Sequence, residues 1–172
     1  MFRIAHFIYD SPKNPWVAGG GAFRNIEIYS RFPKDFEICI FTGKFKDAHD
    51  YSVDQNIDIQ YIGKPTKNYL TSRVSYVSQA KKILRSDGKK FDLIIEDFSP
   101  FSPLFSFELL PQEKIVGQFQ NYFGLMHHMR KNKFLGLLAY FFEKKGYSGF
   151  QNGILISEDH RDFVLKKTKT NF

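Results

Sequence analysis

A single cysteine, Cys39, in 172 residues leaves no partner for an intrachain disulfide, which fits a reducing compartment such as the cytoplasm. Cys39 lies in the apolar run EICIF and reads as a small buried hydrophobe. No apolar run approaches the roughly 20 residues that a bilayer-spanning helix needs. The stretch 2–9 (FRIAHFIY) is not expected to act as a secretory leader: no basic segment precedes it and no small-residue cleavage site follows. Histidines or cysteines at metal-ligand spacing are missing, as are a P-loop lysine and a G-x-G-x-x-G turn directly behind a strand. Acidic residues are outnumbered, 18 against 25 Lys plus Arg, for a net charge of +7. Nucleic acid is set aside as the partner for that charge, because no RNP pattern, zinc spacing or helix-turn-helix pattern accompanies it. An anionic membrane surface fits better. In the segment 131–145, the run FLGLLAYFF (134–142) is apolar nearly all round and lies between Lys131/Lys133 and Lys144/Lys145. The same run also suits a core helix whose end lysines snorkel.

What is present is an alternation of apolar runs with helical patterns. Runs at 2–9, 36–42, 57–62, 91–96, 114–120 and 153–157 read as strands, and residues 44–56 as a polar loop. Helices are expected at 22–32, with Phe23, Ile26 and Tyr29 on one face, and from about 70 to 86, with Leu70, Val74, Val77 and Leu84 on one face. Further helices are expected at 124–130, 134–146 and 158–167, and Ser99-Pro100 opens a short helix or turn. The order predicts a single α/β domain over 1–172, a three-layer sandwich with a mostly parallel sheet and helices on both sides. The basic tail 166–172 is the one compositional shift.

In an open parallel sheet, ligands bind beyond the carboxyl ends of the strands where the strand order reverses. That rule selects Asp10 with the loop Gly19-Gly20-Gly21, then 96–98, 118–121 and 157–159. Glycines without Cβ let a ligand approach backbone N–H groups, and a helix start behind them suits an anionic or polyhydroxylated ligand. The alternative is that they serve only the turn. Glu96 and Asp97 are adjacent on a strand and point to opposite faces, so they form no catalytic pair. Asp97 either faces the cleft or caps the Ser-Pro turn. Gln118 and Gln120 share a strand face; with Asn121 they offer amides that both donate and accept, which suits reading hydroxyls rather than moving protons. His127 and His128 diverge on a helix and cannot ligate one metal together; either of them, with Arg130, could reach the cleft as a cation, or simply lie exposed. Residues 157–162 (SEDHRD) read as a charged first helical turn, too close in sequence to form a triad.

Together the segments HFIYDSP (6–12), GGGAFRNIEIYSRF (19–32), FEICIFTG (36–43), FDLIIEDFSPFSP (91–103), IVGQFQN (115–121) and ILISEDHRD (154–162) resemble the N-terminal, acceptor-side domain of retaining, family-4-like glycosyltransferases of the GT-B fold. The resemblance implies a Rossmann-like domain facing a second lobe, outside these residues, that binds a nucleotide-sugar. It implies transfer of a hexosyl group to a hydroxyl acceptor, a glycan or lipid-linked, and little activity from this half alone. Gly19, Gly20 and Gly21 would lie near the donor phosphates and the transferred sugar; Asp97, Gln118, Gln120, Asn121 and Arg130 would contact acceptor or sugar. Gln120 stands where family members often carry a sugar-contacting His, so no catalytic residue is assigned. Neither metal nor cofactor is implied, since such enzymes hold diphosphate with helix dipoles and basic residues. Location is expected to be cytoplasmic, either free or associated with a membrane. The rival class is a non-catalytic carbohydrate- or nucleotide-binding module; an oxidoreductase is disfavoured because Thr42-Gly43 replaces the acidic residue expected after the second strand.

Overall fold

The computed structural model describes residues 1–16, 19–130 and 132–168. Among these residues seven strands form one sheet: β1 (Phe2–Phe7), β2 (Phe36–Gly43), β3 (Tyr51–Asp54), β4 (Ile57–Ile62), β5 (Leu93–Phe98), β6 (Ile115–Phe119) and β7 (Gly153–Leu155). Their spatial order is β3-β4-β2-β1-β5-β6-β7. Every pairing is parallel except β3 with β4, which is antiparallel. The helices are α1 (Gly20–Tyr29), α2 (Tyr69–Asp87), α3 (Gly124–His128), α4 (Lys133–Gly149) and α5 (Glu158–Thr168). This is the α/β, Rossmann-like architecture expected from the alternation. No helix among the described residues is long and apolar enough to cross a membrane.

Alternating residues of the central strands feed two cores. Ala5, Phe7 and Tyr9 pack with Tyr76, Ala80 and Leu84 of α2, whereas Ile4 and Ile8 pack with Ala22 and Tyr29 of α1 on the other face. A third, aromatic core joins Phe98 and Phe119 to Tyr147 and Phe150 near α4. Asn68 caps α2 by accepting from Leu70 and Thr71 N–H, and Asn132 caps α4 by accepting from Leu135 N–H.

Several expectations need correction. The polar stretch 44–56 contains β3, a short edge strand of alternating character. Strand β5 runs two residues later than the apolar run suggested, so Glu96 and Asp97 lie inside it. Helix α1 starts at Gly20, with Gly19 as its N-cap, so two of the three glycines are helical. The buried face of α2 is Ser72, Arg73, Tyr76, Ala80 and Leu84, while Leu70 and Val74 are 65% and 70% exposed. On α1 the buried residues are Ala22, Asn25 and Tyr29, and Phe23 is exposed. The core-helix reading of 134–142 fails on one side, because Phe134, Leu135, Leu137, Leu138 and Phe141 are exposed. Lys131 and the end of the basic tail, 169–172, lie outside the described residues, as do the side chains of 165–168.

Candidate functional site

The chain leaves β1 toward β2 and β4, then returns across β1 to continue through β5, β6 and β7. The strand order therefore reverses between β1 and β5. At the carboxyl end of that gap lies a cavity of about 70 Å³, lined by Tyr9, Asp10, Arg73, Asp97, Ser99 and Gln120 among others. That is several times the space one water needs.

One end of the cavity is built on Asp97. Its Oδ2 accepts from Gln118 Nε2 at 3.0 Å and from Gln120 Nε2 at 2.6 Å. The register places Asp97 beside Gln118 on β6, so the pairing follows from the parallel ladder. Gln118 uses its second amide hydrogen on Asn25 Oδ1 at 3.1 Å. Asn25 Nδ2 lies 3.4 Å from His6 Nε2, and His6 Nδ1 lies 2.6 Å from Tyr29 Oη. An amide nitrogen only donates, so His6 Nε2 accepts and Nδ1–H points to the tyrosine. Burial holds His6 neutral, with its pKa pushed down to about 3 and the Arg24 charge adding to the effect. Burial also pushes the Asp97 carboxyl up to about 6, against the amide hydrogen bonds that favour its charged form.

Gly21 belongs to this construction. A Cβ there would stand 2.3 Å from Gln120 Nε2, so the helix start and the amide share space only because the side chain is a hydrogen. Gly19 likewise abuts Asp10: its N–H donates to Asp10 Oδ2 at 2.8 Å, and a Cβ would fall 2.4 Å from that oxygen. The other Asp10 oxygen is buried with no hydrogen-bond partner among the described residues. Burial raises the Asp10 pKa despite its backbone hydrogen bonds.

The other end of the cavity is built on Arg73, 8% exposed. Its guanidinium lies over the rings of Tyr9 and Tyr69, 4.7 Å from each centroid, and 5.9 Å from that of Phe101. Nη1 donates to Ser99 Oγ at 3.4 Å. Among the described residues no carboxylate forms an ion pair with it. Glu96, pointing to the face opposite Asp97, organises this end from below. It accepts from the N–H groups of Leu104, Phe105 and Ser106 and from Ser106 Oγ, at 2.7–3.2 Å. These bonds hold the loop carrying Ser99 and Ser102, including Phe105 in a left-handed conformation at φ 51°.

The structure thus brings together Gly19, Gly21, Asp97, Gln118 and Gln120. Asp97 does not cap the Ser-Pro turn; Ser99 Oγ does, accepting from Phe101 N–H. Asn121 is exposed and contributes its carbonyl to Tyr147 Oη. Arg130 is exposed at the end of α3 and does not line the cavity. His128, expected at the surface, is buried beside Glu143, whose carboxylate accepts from the N–H groups of Phe123 and Gly124. Residues 157–159 start α5, beyond β7, with Ser157 Oγ accepting from His160 N–H. No cluster of three or more potential metal ligands exists among the described residues.

Arg73 and Asn25 escaped the sequence reading. Each sits on the buried face of its helix at helical spacing from aromatic or small residues: Tyr69, Arg73 and Tyr76 in α2, and Ala22, Asn25 and Tyr29 in α1. A polar residue interrupting that spacing was the available signal.

The carboxyl side of the sheet also carries exposed apolar side chains. Phe23, Leu70, Val74, Phe101 and Met126 are all more than half exposed. Each belongs to a segment entering or leaving the carboxyl end of the sheet.

No family model and no curated protein matches the sequence. Among solved structures, sucrose-phosphate synthase from Thermosynechococcus elongatus is similar, with a TM-score of 0.64 at 12% identity. The match covers 98% of this chain and 45% of that one. At that identity the likeness establishes the α/β fold alone.

Proposed function

We propose that residues 1–172 form the acceptor-side half of a GT-B glycosyltransferase, one that moves a hexosyl group from a nucleotide-sugar to a hydroxyl acceptor with retention. The observation that carries this reading is the convergence of Asp97, Gln118, Gln120 and Gly21 at the β1/β5 reversal. Neutral amides fixed by a carboxylate present donors and acceptors in set directions, which is what discrimination among sugar hydroxyls requires. Gly19–Gly21 lead into α1, whose first N–H groups face the carboxyl rim and suit the donor phosphates. A second lobe, lying outside these residues, would supply the rest of the donor site and cover the exposed apolar rim. No metal or cofactor is required by this scheme.

The exposed face of α4 supports a second element of the proposal, contact with an anionic membrane. Phe134, Leu135, Leu137, Leu138 and Phe141 are flanked by Lys133 and Lys144, and the chain carries net charge +7. Apolar insertion combined with basic flanks matches an acidic headgroup layer and would bring a lipid-linked acceptor to the cleft.

The test is transfer from a panel of nucleotide-sugars by the protein with both lobes, compared with the 172-residue chain. The reading expects product from the first and negligible turnover from the second. Tight capture of a nucleotide-sugar by the short chain, with no transfer by either, would favour a binding module instead. Co-sedimentation with phosphatidylglycerol vesicles but not phosphatidylcholine vesicles checks the α4 face, and Phe134→Ser with Phe141→Ser should abolish it.

A further inference from the structure

Burying a guanidinium is costly unless something compensates for the lost water. Arg73 is desolvated enough for its pKa to fall below the usual arginine value. The aromatic rings cover its faces, leaving the donor edges as the remaining source of compensation. One edge contact goes to Ser99 Oγ, and Nε has no hydrogen-bond partner among the described residues. The charged group facing Arg73 is Asp10, which forms no ion pair with it; the neutral phenols of Tyr9 and Tyr69 also face it, and the Tyr69 hydroxyl hydrogen-bonds it. Asp97, at the other end of the cavity, responds to Arg24 and Asp10 instead.

Ser99 adds a second donor. Its oxygen already accepts from Arg73 Nη1 and from Phe101 N–H, so its own hydrogen is available to a ligand. Ser102 lines the same end. The cavity is therefore polarised. A ring-caged guanidinium with no carboxylate partner among the described residues, together with a hydroxyl donor, occupies one end, and a carboxylate with the Gln120 amide occupies the other.

We propose that Arg73 and Ser99 bind a phosphate monoester or diester on the acceptor, so that the acceptor is a phosphorylated polyol, its hydroxyls directed toward Asp97 and Gln120. This rests on the glycosyltransferase reading for the word acceptor; the anion site itself does not. The phosphate belongs either to a soluble sugar phosphate or to a lipid headgroup, and guanidinium recognition is common to both.

Calorimetry of the intact protein against glucose, glucose 6-phosphate, inorganic phosphate and phosphatidylinositol vesicles tests it, using wild type, Arg73→Gln and Arg73→Lys. A phosphate-bearing probe should bind at least tenfold tighter than glucose, and Arg73→Gln should weaken that binding roughly ten- to hundredfold while leaving glucose unchanged. Arg73→Lys should recover part of the loss. Preference for glucose 6-phosphate supports a soluble acceptor, and preference for the vesicles supports a lipid one. Removing a buried charge should not unfold the domain, and a melting temperature of Arg73→Gln no lower than that of wild type verifies this. Equal binding of glucose and every phosphate probe overturns the proposal, as does an Arg73→Gln effect that is the same for glucose. Arg73-dependent phosphate binding in a protein that never consumes a nucleotide-sugar would leave the anion site standing and remove the glycosyl-transfer reading.

Discussion

At the rim where the parallel strands begin, Arg3 reaches Glu37 through two hydrogen bonds of 3.1 and 3.3 Å, Lys34 meets Asp54, and Lys90 meets Asp87. At the rim where they end, Arg73 has no carboxylate partner, Asp97 is held by amides alone, and one oxygen of Asp10 is buried without a hydrogen-bond partner among the described residues. Both rims belong to the same sheet and are built from the same chain. Matched charges at the first are what a solvated structural edge needs. Unmatched, desolvated groups at the second lower stability and persist where a ligand completes them. The adjacent pair Glu96 and Asp97 condenses the contrast into two residues. Glu96 has four donors and fixes a loop, whereas Asp97 has two amide donors and lines the cavity.

Asn in place of Asp97 should separate function from stability most strongly. Transfer should fall about hundredfold or more, since the two glutamines lose the charge that orients them. Stability should move the other way. Because the Asp97 pKa rises from 3.8 to about 6 on folding, the native state holds the proton more tightly. Its contribution is fully present below pH 3.8 and is lost as pH climbs through about 6. Asp97→Asn should therefore gain up to about 3 kcal/mol above pH 6, with the gain vanishing toward pH 3.8, as read by urea melts across pH.

Glu96→Ala should break the contrast by losing both properties together. Three buried N–H groups would have no acceptor, at a cost of about 3 kcal/mol or more, and the loop bearing Ser99 would lose its anchor. Denaturation and transfer assays on one preparation check this. A smaller effect is expected of Gly21→Ala. Its methyl group displaces the Gln120 amide, so transfer should drop roughly tenfold, whereas helix propensity gains up to about 1 kcal/mol. Glu37→Gln, at the opposite rim, should cost at most about 1 kcal/mol and leave transfer unchanged.

Strands β1, β2, β5 and β6 were legible because parallel strands buried on both faces read as apolar runs. β3 was not: YSVD is four residues long at the sheet edge, with neither a long run nor a buried face to mark it. Asp97, Gln118 and Gln120 could be found because polar residues at the end of an apolar strand stand out. Arg73 could not be reached from hydrophobic periodicity. Leu70 and Val74 drew the expected core face of α2 toward a rim where apolar residues are exposed. A polar residue inside a true core face shows only as an interruption of the helical spacing, which apolar periodicity passes over. The inverted pattern, apolar outside and charged inside at one rim, is itself the signature of a surface completed by something else.

The most direct test of the unmatched rim is carbon-detected NMR titration of the Asp97 carboxyl group. The account predicts a pKa near 6, as burial that outweighs the two amide hydrogen bonds and the Arg24 charge requires. A value at or below the ordinary 3.8 would show a solvated or ion-paired carboxylate and contradict the account.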